Sequence, residues 1–195
     1  MIDEGYIKYR QHFIKDEPLS QVLISEINEY RSRLYEMKLI GAYDEVIGYG
    51  NISVKLPDGR ILISGTQTGQ IKHLGPQHYT VVESYNIDKN ELTCKGPVKA
   101  SSEALTHAAV YELDDSIKAV IHIHSRELWD KHINKMPTTR REVTYGTPEM
   151  AYEVRRLFED ELMRGTPVLV MAGHDEGIVT YGGSLDAAFQ LVEAL

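Results

Sequence analysis

His122, Ile123 and His124 close the run Ala119-Val120-Ile121-His122-Ile123-His124, in which apolar and polar positions alternate and β-branched residues abound. Such a run reads as a half-buried β-strand. Residues i and i+2 of a strand share a face, so Ala119, Ile121 and Ile123 turn one way and both imidazoles the other. Strand rise sets the two His Cα atoms roughly 7 Å apart, within reach of one metal ion. A third imidazole, His174, sits in Gly173-His174-Asp175-Glu176-Gly177, directly after the apolar run Pro167-Val168-Leu169-Val170-Met171-Ala172. Loops at strand ends are where a rigid scaffold presents reactive groups. Taken singly, each His reads as well as an ordinary polar residue. Together, three imidazoles with an open coordination position are the arrangement of a catalytic zinc ion.

A carboxylate stands beside this set. Glu103 follows Ser101-Ser102 at a helix start, where the helix dipole favours its charge. The plain reading is that Ser101 or Ser102 caps the helix. The same geometry leaves backbone N–H groups beside two hydroxyls, which suits a phosphate. His107, one helical turn after Glu103, reads as its support or as a polar core residue rather than a ligand. Gly50-Asn51 and Thr66-Gln67-Thr68-Gly69 have the same anion-binding character: glycine allows close backbone approach, and Asn and Thr supply short donors. Each alone is also a common turn.

These residues need elements to hold them. Leu23, Ile27, Tyr30, Leu34 and Met37 recur at helical spacing and predict an amphipathic helix stopped at Gly41. Residues 51–56 and 61–64, joined by Pro57-Asp58-Gly59-Arg60, predict a β-hairpin. Tyr79–Ser84 reads as a further strand, and 102–113 as the helix that precedes the His strand. Thr147 caps a helix that has Pro148 at its first position, turns Met150, Val154, Leu157, Phe158 and Leu162 inward and ends near Gly165. Strands over 167–172 and 178–181 and a helix capped by Ser184 complete the chain. Hairpin links, rather than strict alternation of strand and helix, predict a mixed or largely antiparallel sheet covered by helices. Residues 1–18, polar and aromatic and closing on Pro18, read as an N-terminal extension, and 19–195 as a single domain.

The chain has 195 residues, enough for one domain with a real core. Its net charge of −8 argues against a nucleic-acid or anionic-membrane partner, while leaving room for an anionic small substrate. A lone cysteine, Cys94, excludes an intrachain disulfide and a Cys-rich zinc module. Met1–Tyr6 lacks the basic and apolar regions of a signal peptide, and no apolar run approaches the roughly 20 residues of a membrane span. A cytoplasmic location is the expectation.

The ordered set Gly50-Asn51-Ile52-Ser53, Thr66-Gln67-Thr68-Gly69, Ser101-Ser102-Glu103 with His107, His122-Ile123-His124, Tyr145-Gly146-Thr147-Pro148-Glu149 and the His174 loop resembles the class II aldolase/adducin family, from about residue 20 onward. The resemblance implies an α/β fold in three layers, with a central, mostly antiparallel sheet flanked by helices. It implies a homotetramer with active sites at subunit boundaries. His122, His124 and His174 would bind Zn²⁺ or another divalent metal. Asn51, Thr68, Gly69, Ser101 and Ser102 would hold a sugar-phosphate substrate, and Glu103 would be the acid/base. The chemistry expected is C–C bond cleavage or formation in a small phosphorylated ketose, with the metal stabilising an enediolate and Glu103 moving the proton.

The chain departs from the family in three places. Some 20 residues separate His124 from Tyr145, with no tyrosine between, so Tyr145 is the candidate for the acid that the aldolases carry on a longer segment. The C-terminal tail that closes some family sites is not seen before Leu195. Asp175 and Glu176 stand where a His-Gly pair is more usual, and read as an added ligand, a tuning charge or solvated loop charge. Lys72, Lys95 and Lys99, the basic residues near the proposed phosphate cradle, do not cluster, which leaves a non-phosphorylated substrate open. The alternatives are a sugar-phosphate 4-epimerase, a dehydratase, or an adducin-like scaffold without chemistry. No nucleophile elbow supports a Ser or Cys hydrolase.

Overall fold

In the computed structural model, which describes residues 5–44, 46–160 and 165–195, the His strand β8 (Ala119–His124) lies inside an eight-stranded sheet. Its neighbours are β4 (Asn51–Lys55) and β10 (Gly177–Gly182), both antiparallel to it. Beyond β4 come β5 (Ile61–Ser64), β6 (Tyr79–Asn86) and β7 (Glu91–Gly96); beyond β10 comes β9 (Val168–Val170). These are all antiparallel pairings. The β4–β5 hairpin turns at Pro57–Arg60 as the turn residues require, with Gly59 at φ +89.

Residues 10–15, read from the sequence as part of an extension, instead form edge strand β1 (Arg10–Lys15), parallel to β7. Tyr9, just before it, is buried in the core. The short alternation of this strand carries too few apolar residues to announce itself. β7 escaped for the same reason: only Leu92 and Cys94 of its alternating residues are apolar and buried.

Two cores separate the layers. Ala119, Ile121 and Ile123 pack with helix α1 (Gln21–Glu36) and the last helix, α5 (Leu185–Glu193). Val120 faces the opposite core, with helices α2 (Ala104–Tyr111) and α4 (Pro148–Glu159). The result is the expected three-layer α/β fold. Because β8 is central, its polar face is as covered as its apolar one, and all six residues are buried rather than half-buried. A short helix α3 (Arg126–His132), capped by Ser125, follows β8. A two-stranded ribbon, β2 (Gly41–Tyr43) with β3 (Ile47–Tyr49), stands outside the main sheet.

α1 buries Ile24, Ile27, Arg31 and Leu34, while Leu23 and Met37 are 41% and 43% exposed. The inward stripe is thus rotated from the apolar periodicity, because Arg31 occupies one of its positions. The helix ends at Met37 and Lys38, the latter at φ +60, and Gly41 instead begins β2. Thr147 and Ser184 cap α4 and α5 as expected, through Met150 N and Ala187 N. α4 ends at Glu159, with the extended Asp160 as its cap, short of Gly165. Leu162 lies outside the described residues. Among those described, no helix is long and apolar enough to cross a membrane.

Candidate metal centre

The alternation of β8 puts His122 and His124 on the α2 side of the sheet, adjacent in the same column. His174 reaches them from the β9–β10 connection. There the His174 N–H donates to Met171 O at 3.2 Å and the Gly177 N–H to His174 O at 2.9 Å, a tight loop that folds the imidazole back over β8. One nitrogen from each ring falls within 4.8 Å of the others. His124 Nε2 and His174 Nε2 are 3.0 Å apart. All three side chains are buried.

The donor set fits a divalent cation. His122 Nε2 is buried without a hydrogen-bond partner among the described residues, an arrangement that costs about 1–3 kcal/mol unless something binds the nitrogen. Gly177 keeps the space open: a Cβ there would stand 2.6 Å from His174 Cδ2 and 3.1 Å from His122 Nε2. Burial, reinforced by His174 and His122, holds His124 well below its usual pKa, so the ring is a neutral donor.

Glu103, rather than Ser101 or Ser102, is the N-cap residue of α2, so the helix starts later than expected, and Ser101 Oγ accepts from the Glu103 N–H at 3.3 Å. The carboxylate is therefore free to turn inward, and Oε2 abuts His122 Nδ1. Oε1 has no hydrogen-bond partner among the described residues. Burial pushes the Glu103 pKa up, but His122, His174 and His107 outweigh it and hold the group at about 2. Asn51, opposite His122 in the β4–β8 register, brings Nδ2 to 3.4 Å from His122 Nδ1. Gly50, at φ +73, makes the entry to β4; a Cβ there would meet Leu39 O and His122 O at 3.1 Å. His107 is set back: its Nδ1 lies 2.7 Å from Ser53 Oγ, which in turn is 2.8 Å from Tyr111 Oη.

Tyr145 joins the cluster, its ring centroid 4.4 Å from that of His174. Its hydroxyl accepts from the Tyr6 N–H at 3.2 Å, and Lys8 Nζ lies 3.8 Å from its ring centroid. The N-terminal arm thus runs beside the site. Tyr9 Oη donates to Ser101 O at 2.6 Å, and Gln67 Nε2 donates to Gly5 O at 3.1 Å.

Thr68 and Gly69 are joined to the Ser101-Ser102 loop through the Gly65–Ala100 bridge and the bond from Thr66 N to Lys99 O, 2.9 Å. Beneath them lies a residue that the periodicity of α1 concealed. Arg31, 1% exposed, donates to Thr68 O (2.9 Å), Gly69 O (3.0 Å) and Lys72 O (2.9 Å). In a trans peptide the carbonyl and the next N–H point opposite ways. Turning those carbonyls onto Arg31 aims the Gly69 and Gln70 N–H groups away from it, and Gly69 itself packs against the β2–β3 ribbon, where a Cβ would stand 2.9 Å from Gly48 Cα and from Tyr49 N. Lys95 is instead paired with Asp16 at 3.1 Å, and Lys72 and Lys99 are exposed.

Two further side chains at the site, Tyr43 and Tyr49, were not singled out by sequence reasoning. Tyr43 Oη lies 3.0 Å from His124 Nδ1 and donates to Glu176 Oε2 at 2.6 Å. The Tyr49 ring stacks on His124, with centroids 5.4 Å apart. Glu176 stands outside the imidazole group and is tied to Arg126 Nε at 3.2 Å, while Asp175 is exposed and 3.5 Å from the same guanidinium.

Residues 38–195 match the family described as Class II Aldolase and Adducin N-terminal domain. The chain belongs to this family. The class II aldolase fold recurs in an L-fuculose 1-phosphate aldolase, with a TM-score of 0.68 at 22% identity over 90% of this chain and 82% of that one. A methylthioribulose-1-phosphate dehydratase of Gluconacetobacter diazotrophicus is 27% identical over 75% of this chain and 78% of its own length. A 3-oxo-tetronate 4-phosphate decarboxylase of Haemophilus influenzae is 34% identical over 42% of this chain, a match spanning about a third (35%) of that protein.

Proposed function

We propose that the chain is a divalent-metal-dependent lyase acting on a small phosphorylated ketose, with cleavage or formation of a C–C bond as its reaction. The observation that carries the reading is the convergence of three buried imidazoles, one with an orphaned Nε2, beside a buried carboxylate. In this reading His122, His124 and His174 hold the cation, with Zn²⁺ favoured by the all-nitrogen donor set. Bound there, the cation supplies Lewis acidity toward a substrate carbonyl oxygen.

The chain's own residues do the rest. Glu103, with Oε1 unpartnered in a buried site, exchanges a proton with the substrate. Tyr145, whose ring lies beside His174, is the second acid. The Thr68-Gly69 loop, Ser101, Ser102 and Asn51 orient the phosphate, so that the reacting carbon is held against the acid and base. A homotetramer, with its active sites at subunit boundaries, and a cytoplasmic location belong to the same proposal.

A second reading is dehydration of a sugar phosphate, favoured by the relative that matches three quarters (75%) of the chain and is named a dehydratase. Both reactions place negative charge on a carbonyl oxygen, so one site serves either. The test is a screen of the metal-loaded protein against sugar phosphates, assayed for aldehyde release, water loss and CO₂ release. Aldehyde release is expected, abolished in Glu103→Gln while metal stays bound. Turnover retained in that variant would remove Glu103 from its role, and water loss alone would decide for dehydration.

A further inference from the structure

Glu176 occupies a backbone conformation that disfavours it. Its φ is +71, in the left-handed region where any residue but glycine is strained. The strain is held by two contacts. Glu176 Oε1 accepts from Arg126 Nε at 3.2 Å, and Oε2 accepts from Tyr43 Oη at 2.6 Å. On its other side, Tyr43 Oη lies 3.0 Å from His124 Nδ1.

A phenol has one proton. The short bond to a carboxylate that is itself paired with Arg126 assigns that proton to Glu176. The phenol oxygen is then an acceptor, and His124 Nδ1 must be the donor. This fixes the tautomer of His124: Nδ1 carries the hydrogen and Nε2, 3.0 Å from His174 Nε2, presents its lone pair to the imidazole cluster. The β2–β3 ribbon supports the same ring a second time, through Tyr49 stacked at 29° to it.

We infer that Tyr43 and Glu176 are positioning residues for His124, a carboxylate–phenol relay that sets its tautomer and ring plane for metal binding. The inference rests on the metal reading above. It assigns the strained Glu176 a purpose: the αL backbone is what points its carboxylate back at Tyr43. Asp175, its neighbour, shares Arg126 but has no contact with Tyr43 among those seen, and is 65% exposed at its side chain. It therefore serves as the control.

The experiment is a competition titration of the full chain with Zn²⁺ against a chromophoric chelator, together with the Co²⁺ absorption spectrum. Wild type is compared with Tyr43→Phe, Glu176→Gly and Asp175→Ala. Tyr43→Phe and Glu176→Gly are expected to weaken metal binding about 10- to 100-fold, the usual effect of removing such a partner, and to shift the Co²⁺ bands. Asp175→Ala is expected to bind like wild type. Metal-free Glu176→Gly is expected to melt at or above the wild-type temperature, since glycine relieves the positive φ; a merely structural role would lower it. Binding within twofold of wild type in both relay variants would overturn the inference while leaving the metal centre intact. A wild-type chain that binds neither ion would overturn the metal reading itself, and the relay with it.

Discussion

His107 shows what the interior does to a titratable group. Burial drives its pKa from the usual 6.5 to about 3, with Glu103 opposing the fall and His122 adding to it. The ring is thus neutral in the folded chain, while the unfolded chain takes up a proton below about pH 6.5. The sign follows: the contribution is complete above pH 6.5 and is lost as pH falls toward 3, because the unfolded state binds the extra proton. One such group costs about 1.4 kcal/mol of stability per pH unit inside that window. The metal-free protein should therefore melt at a lower temperature at pH 5 than at pH 7. His107→Gln should make the dependence shallower by about that amount. An unchanged slope would show that His107 is not the neutral, buried group described. The residues that announce chemistry were legible here because their spacing is covalent. His122 and His124 share a face by strand geometry alone, whatever the sheet does around them.

At the scale of elements, Arg31 ties α1 to the loop that carries Thr68 and Gly69. Its three partners are carbonyl oxygens, so the guanidinium both neutralises their partial charges and fixes the direction of the intervening peptides. Replacement by methionine removes the donor to all three, leaving Thr68 O with only the Ile71 N–H at 3.2 Å. The expected loss is about 3 kcal/mol or more, given about 1.5–3 kcal/mol for a hydrogen bond to a charged group. It is read as a fall in the urea midpoint with unchanged slope. Arg31→Lys should not restore it, because an ammonium lacks the planar fork that spans three acceptors. A loss below about 1 kcal/mol in the methionine variant would mean that the loop holds its shape unaided. Periodicity could not reveal this, since a charged residue in an inward stripe looks like a break in the stripe. The same blindness rotated α1 in the sequence reading. It also left Tyr43 and Tyr49 unremarked, because the short β2–β3 ribbon bears no local signature of what it packs against.

At the scale of the molecule, the three layers explain why the site's side chains are buried. A sheet covered on both faces buries its central strand entirely, and the polar face of β8 becomes the floor of the site rather than a surface. Hairpins and caps were readable because they are set by neighbouring residues: Pro57–Arg60, Thr147 and Ser184 act as their types require. The sheet edge was not readable. β1 pairs with β7 across most of a hundred residues of chain, a partnership decided by tertiary packing of Tyr9 and the strand's backbone rather than by its own residues. What the whole architecture serves is the meeting of β8 with the β9–β10 loop. Equilibrium dialysis of the purified chain against Zn²⁺, followed by elemental analysis, tests that meeting. The expected result is one ion per chain, with a raised melting temperature, lost in His122→Ala, His124→Ala and His174→Ala alike. No bound metal, or binding that survives all three substitutions, would contradict the account.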